Sequence, residues 1–148
     1  MNLIVKHFSE LTLLELYAAM RLRQEVFAVE QQCAYLDADG KDLLAYHVLL
    51  YDHQQHLVAC SRLLPENVSY DGYVSIGRVM SAATHRRLGL GRKIMDISIA
   101  KVQELWPGKP IKIGAQEYLE AFYGSYGFVK TGEPYLEDGI RHIIMVLS

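Results

Sequence analysis

The sequence predicts an α+β, mixed-sheet layer fold, and three observations carry the prediction. Segments of strand length and helix length follow one another in the order βα, three strands, α, β, α, ββ. The three central strands are separated by short polar or turn-forming stretches, which makes them an antiparallel run. A doubly wound sheet needs a helix between most successive strands, and that alternation is missing here. The 148 residues, 51% of them hydrophobic, suit a single domain over 1–148 with one core.

Each element has its own justification. Leu3 to Phe8, "LIVKHF", is a short strand with β-branched content. Thr12 with Glu15 three residues on is a capping-box signature, and Leu13, Leu16, Tyr17 and Met20 follow at helical spacing. The spacing predicts a helix from there to about Phe27. The stretch "VEQQCAYLDADGKD" has no period and ends in turn formers, so it is a loop. Ala45–Tyr51 and Leu57–Leu64 are strands joined by the polar turn "DHQQH". After a loop over Pro65–Gly72, Tyr73–Ser81 alternates as the third strand. A helix from about Gly89 to Leu105 is ended by "WPGKP". Ile111–Ala115 is a short strand, "EYLEAFYGSY" a short helix stopped by Gly127, and "FVKTG" and "HIIMVL" close the chain as strands.

Composition excludes several function classes. The net charge of −2 leaves no broad basic face for nucleic acid. No apolar run is long enough to span a bilayer, and "MNLIVKHFSEL" lacks a signal peptide's order, so a cytoplasmic protein without a membrane partner is expected. Cys33 and Cys60 stand far apart without Cys-x-x-Cys spacing and read as reduced thiols; no Cys–His pairing for an acyl carrier is legible. "DADG" (Asp37 to Gly40) lacks the further carboxylates of a calcium loop, and His53 and His56 lie in a polar turn with no third ligand, so no metal is expected. Leu90, Ile94 and Ile97 form a core stripe. A second stripe, Met95, Ile99, Val102 and Leu105, packs on another element or on a second subunit, which leaves a homodimer open.

The stretch "HRRLGLGRK" (His85 to Lys93) carries the chemistry. It sits between a strand and a helix, where unpaired backbone N–H groups hold positive partial charge and bind phosphates if a ligand can come close. Gly89 and Gly91 permit that approach, and Arg86, Arg87 and Arg92 add charge. Taken alone, Gly-x-Gly reads first as a turn with a solvated basic edge. It is not a P-loop, since no Gly-Lys-Ser/Thr follows, nor a dinucleotide fingerprint, since the third glycine is missing.

"RRLGLG" (Arg86 to Gly91) resembles the Arg/Gln-x-x-Gly-x-Gly/Ala signature of the GCN5-related N-acetyltransferases, the GNAT superfamily. "QEYLEAFYGSYGF" resembles the family's downstream motif, with Gln116 in the place of an Asn, Tyr123 seven residues on, and Gly127-Phe128 at the end. The motifs fall in the family's order after the expected strands, so the resemblance covers nearly the whole chain. "LRQEVFAVEQQCAYLDADGKD", "GRVMS", "IGAQ" and "EDGIRHIIM" resemble its ElaA-type branch of small bacterial proteins.

The resemblance implies the GNAT fold, a mostly antiparallel splayed sheet flanked by helices, and acetyl-CoA as co-substrate. By position, the backbone of Val79, Met80 and Ser81 would pair with the pantetheine arm. Arg86, Arg87, Leu88, Gly89, Leu90, Gly91 and Arg92 would hold the pyrophosphate. Gln116 would bond the pantetheine or support the splay, although Gln differs from Asn in reach. Tyr123 would be the general acid that protonates the leaving thiolate; the other reading is a packed helix aromatic. The implied reaction is direct attack of an unprotonated amine on the thioester, with a backbone N–H at the end of strand Tyr73–Ser81 stabilising the oxyanion.

On the acceptor side the residues themselves leave alternatives. Glu30, His47 and Glu25 are candidate bases. If the central strands are neighbours, His47, Arg62 and Arg78 converge on one face. An arginine pair there would suit an acceptor carboxylate or phosphate. The competing reading is a structural network of Arg62 or Arg78 with Glu25, Glu30 or Asp39, and His47 as a satisfied strand histidine. Two functions follow: an acetyltransferase acting on a small-molecule or peptide amine, or a non-catalytic acyl-CoA sensor on the same fold. Only the first needs Tyr123 and a base.

Overall fold

The structure, a computed structural model, describes residues 1–148. Strand β1 (Asn2–His7) leads to helix α1 (Leu13–Arg23), whose start is the expected box: Thr12 Oγ1 accepts from Glu15 N–H, and Glu15 accepts from Thr12 N–H. The helix does not stay α-helical to Phe27. It widens into π-helical turns over Gln24–Glu30. Its buried positions are Ala19, Leu22, Arg23 and Val26, while Leu13 and Tyr17 face outward. The wider turns keep Arg23 inside and bring Phe27 against the cluster of Leu49, Cys60 and Met80.

Strands β2 (Tyr46–Tyr51), β3 (Leu57–Leu64) and β4 (Ser75–Ser81) follow. With β1 they form an antiparallel sheet in the order β1-β2-β3-β4. Helix α2 (Leu90–Leu105) lies on it. Both of its apolar stripes enter one 18-residue core: Leu90, Ile94, Met95 and Val102 are buried, and Ile97, Ile99 and Leu105 pack against them. The second stripe is thus covered within the chain by its own sheet.

Strand β5 (Ile111–Gln116), helix α3 (Glu120–Gly124), β6 (Val129–Glu137) and β7 (Ile140–Leu147) complete the chain. The last strands form a second antiparallel sheet in the order β5-β7-β6. β6 runs well past "FVKTG": a register break between Thr131 and Tyr135 lets it continue through Gly132 and Pro134. An exposed edge strand tolerates a proline at such a bulge and shows no apolar alternation, which hid it from pattern reading. No helix is long and apolar enough to cross a membrane.

The two sheets meet at one point. Val74 and Ile111 form a single parallel bridge, with Val74 N–H donating to Pro110 O (3.2 Å) and Lys112 N–H to Val74 O (3.0 Å). Beyond it β4 and β5 belong to separate sheets, so the chain opens a cleft between Gly77–Ser81 and Ile113–Gln116.

Candidate active site

The cleft leads into a cavity of about 810 Å³. Its walls are the end of β4, the end of β5, α3, the β6–β7 hairpin and the segment from Val26 to Lys41. β4 carries a bulge beside it: Cys60 pairs with Met80 but Arg62 with Gly77, so one extra residue sits on β4. That residue is Arg78, at φ 48°, a left-handed conformation that costs a non-glycine residue about 1–2 kcal/mol. The bulge breaks the ladder where β4 borders the cavity, and frees backbone polar groups there.

The glycine loop stands at the cavity mouth. Gly89 caps α2 at φ 72°, the conformation that favours glycine. No side chain caps this helix; its first intrahelical bond is Lys93 N–H to Gly89 O (3.0 Å). The N–H groups of Leu90, Gly91 and Arg92 therefore lack helical partners. A Cβ on Gly89 or Gly91 would meet nothing within 4 Å, so both glycines face open space. This is what an anion needs at a helix start: free donors and unobstructed approach.

Not every basic residue of the loop faces that space. Arg86 forms a two-pronged ion pair with Glu30, closing the π-helical segment onto the loop. Arg92 stacks on Tyr126 (4.8 Å) and Phe122 (5.6 Å) and donates to Ser125 Oγ (2.8 Å), which docks α3 on α2. Arg87 is exposed, with no acidic partner. The side chain of Leu90 is core and that of Leu88 is exposed, so each has only its backbone to offer. Val79, Met80, Ser81, Arg86, Gly91, Gln116 and Tyr123 line the cavity; Arg87, Leu88, Gly89, Leu90 and Arg92 do not.

Gln116 Nε2 donates to Gln31 Oε1 (3.3 Å), tying the end of β5 to the segment over the cavity. Tyr123 is 8% exposed and packs edge-on against Phe122 and Phe128. No protein group bonds its hydroxyl, yet the only buried side-chain polar atom without a partner is Arg62 Nε. The phenol oxygen therefore opens on the cavity that Tyr123 lines. Burial raises this phenol to about 12, so it keeps its proton at neutral pH.

The acceptor-side expectations are reordered. His47 is 2% exposed and lies outside the cavity; its Nε2–H donates to Asp42 O (3.1 Å). Burial lowers its pKa, which suits a neutral structural imidazole and not a base facing substrate. Arg62 and Arg78 do reach one region, but their forks are taken. Arg23 bonds Asp37 (2.8 Å) and Asp42 (2.7 Å), Arg62 bonds Asp42 (3.2 Å) and Asp39 (2.9 Å), and Arg78 bonds Asp39 (3.5 Å) and Asp37 (2.8 Å). Three arginines and three aspartates alternate in a closed ring that pins residues 37–42 to α1, β3 and β4. Asp39 is the one partner expected from sequence. Glu25 pairs with Arg21 instead, and Glu30 with Arg86. The ring also uses both carboxylates of "DADG".

The ring makes folding acid-sensitive. Burial opposes ionisation of Asp42 and Asp39, but the arginine bonds win and hold both carboxyls below their usual range. A depressed carboxyl stabilises the fold above its unfolded pKa, about 3.9, and that stability is lost as pH falls through the folded value. Urea midpoints are expected to decline modestly below about pH 6.5, where the buried neutral His47 resists protonation, and to fall steeply below about pH 4 as the ring protonates. A midpoint flat to pH 3 would remove the ring from the stability of the fold.

Neither cysteine is placed as an acyl carrier. Cys60 is buried, and burial pushes its thiol to about 12. Cys33 lines the cavity and points its Sγ at Asp138 O (3.6 Å). Sequence reading missed a different cluster: Tyr70, Tyr135, Glu137 and His142 meet on the cavity wall. A Cβ at Gly114 would lie 2.7 Å from Tyr135 Oη and 3.1 Å from Tyr70 Oη, so a side chain there would have to push the two phenols aside. The run "EDGIRHIIM" was the one available signal.

Comparison with known proteins agrees with this geometry. The profile of the acetyltransferase (GNAT) domain matches residues 19–148. An acyl-CoA N-acyltransferase from Pseudomonas aeruginosa superposes over all of both chains with a TM-score of 0.93 and 43% identity. Escherichia coli ElaA superposes over all of both chains with a TM-score of 0.92 and 38% identity. A UPF0039 protein of Synechocystis is 40% identical over 141 residues, 95% of this chain and 91% of that protein. With the parted strands, the open glycine loop and these likenesses in hand, the chain belongs to the GNAT acetyltransferase family, in its ElaA branch, and has the acyl-CoA N-acyltransferase fold.

Proposed function

We propose that the protein is an N-acetyltransferase that moves the acetyl group of acetyl-CoA directly to a primary amine of a small molecule or peptide. The observation that carries the reading is the parting of β4 and β5 above a single bridge, with the uncapped glycine start of α2 at its mouth. An extended pantetheine fits such a parting as an added strand on Val79, Met80 and Ser81. The N–H groups of the Gly89–Arg92 turn, with Arg87 beside them, receive the pyrophosphate. Arg86 closes the π-helical segment over the loop through Glu30. Gln116 ties the end of β5 to the segment over the cavity through Gln31. Backbone N–H groups freed at the Arg78 bulge stabilise negative charge on the thioester oxygen, and Tyr123 donates its proton to the departing sulfur. Arg62, Arg78 and Asp39 shape the wall through their ring instead of binding acceptor.

The test is calorimetric titration with acetyl-CoA, followed by free-thiol release against a panel of primary amines. Binding with release is expected. Binding without release on any amine would instead make the protein a sensor, and no binding would overturn the reading. A single substitution checks the cradle. Gly91 has no positive φ and open space above it, so Gly91→Glu strains nothing but sets a carboxylate among the anion donors. CoA affinity is expected to fall at least 100-fold with an unchanged melting temperature. Retained affinity would place the phosphates elsewhere.

A further inference from the structure

We infer that His142, oriented by the Ile140 carbonyl and the Tyr135 ring, is the base that takes the proton from the acceptor amine. The inference rests on the acyltransferase reading and adds the group that reading lacks. An alkylammonium with a pKa of about 10 is almost wholly protonated at neutral pH and cannot attack a thioester until it loses a proton. The carboxylates named from sequence are engaged: Glu30 by Arg86, Glu25 by Arg21, Asp39 by Arg62 and Arg78. His142 is different. It is 9% exposed and lines the cavity. It stands on β7 directly across from Gln116 at the end of β5, one strand from the cleft edge. Neighbouring strands are about 5 Å apart, within reach of a hydrogen bond made directly or through one water.

Its orientation is set from two sides. Nδ1 lies 2.8 Å from Ile140 O, and a carbonyl only accepts, so Nδ1 carries the hydrogen and Nε2 keeps the lone pair. Nε2 lies 3.5 Å from Glu137 Oε2, a contact that becomes an ion pair only once Nε2 has taken a proton. The ring stacks on Tyr135 at 5.7 Å and 30°. The groups facing it are Glu137 and Tyr135 from β6, Asp138 at the hairpin tip, neutral Gln116 from β5, and Tyr70 beyond Tyr135. Both phenols are pushed up by burial, Tyr135 to about 12, so only Glu137 and Asp138 bring charge. Once the proton is on Nε2, the exposed Glu137 leads it out to solvent. In the step, an N–H bond of the ammonium breaks and one forms at Nε2. The imidazolium passes its proton to water, the freed amine pair attacks the thioester carbon, and the C–S bond breaks as the sulfur takes the Tyr123 proton; the second N–H proton of the nitrogen then restores the Tyr123 phenol through solvent. Glu137 pairs with the ring only after Nε2 has taken the proton.

The experiment uses the full chain, acetyl-CoA and two probe amines suited to aromatic walls. Phenethylamine is protonated at neutral pH, whereas aniline is not. His142→Gln is expected to lower kcat/KM for phenethylamine 100- to 1,000-fold and to remove the acid limb of its pH profile. Aniline should change less than fivefold, and acetyl-CoA affinity not at all. Glu137→Gln should lower kcat/KM for phenethylamine about fivefold and leave aniline unchanged. Equal losses on both amines, or an unchanged pH profile, would overturn the assignment. Nitrogen NMR of the His142 ring gives an arm independent of any amine: the neutral form should carry its hydrogen on Nδ1, and the other tautomer would also overturn it. Binding of acetyl-CoA with no thiol release by the wild type would strike the acyltransferase reading itself, and the base with it.

Discussion

Tyr123→Phe is expected to slow acetyl transfer at saturating substrates by two to three orders of magnitude while acetyl-CoA affinity stays within twofold. A positioned acid or base contributes about 10²–10⁴-fold. The substitution is a clean deletion. The ring packs edge-on between Phe122 and Phe128, and a phenylalanine ring keeps both contacts. The hydroxyl bonds nothing in the protein, so its removal leaves no orphaned partner, and folding should not suffer. Because the phenol is raised to about 12 by burial, it stays protonated across the working range, and the variant should lose rate evenly from pH 6 to 9. That shape separates it from His142→Gln, which acts on the acid limb. Thiol release at saturating acetyl-CoA, paired with calorimetry, measures both quantities. A turnover within threefold of wild type would leave Tyr123 as a packed aromatic.

The second large effect is on stability. Arg23→Met is expected to cost about 3–5 kcal/mol, the usual result of removing one partner from a buried ion pair. Arg23 is 2% exposed, and its guanidinium bridges Asp37 and Asp42. Without it the ring holds two cations against three carboxylates, with Asp42 5% exposed. For a chain of this size the melting temperature should drop by roughly 10–15 °C. A typical domain is stable by only about 5–15 kcal/mol, so the variant approaches the margin. Thermal and urea unfolding of the variant measure this, and a loss below about 1 kcal/mol would show that the ring orders residues 37–42 without holding the fold. Arg78→Met should do less, because its side chain is 22% exposed and its carboxylate partners are left nearer to water.

The order of strands and helices was legible because each element declares itself locally. The Thr12–Glu15 box, the "DHQQH" turn and the "WPGKP" stop act within a few residues, and all three sit where expected. The extension of β6 and the π-helical end of α1 were not legible. The first is an exposed edge with no apolar alternation, and the second answers to what Arg23 and Phe27 must reach across the fold.

For the site the same division holds. The glycine loop could be found by reading, because free N–H groups at a helix start and the glycines that expose them are contiguous in the chain. What Arg62, Arg78 and His47 do could not, because a charge takes whichever opposite charge the register brings near. Here the loop after the π-helical segment folds back and delivers three aspartates to three arginines. The sequence by itself determined the element order, the uncapped glycine start of α2 and the family. Only the tertiary structure decided that the arginine pair is spent on a ring, and that His142, hidden in a closing strand, faces the cavity beside Gln116. Those outcomes depend on strand pairing between residues far apart in the chain, and local pattern carries no record of it.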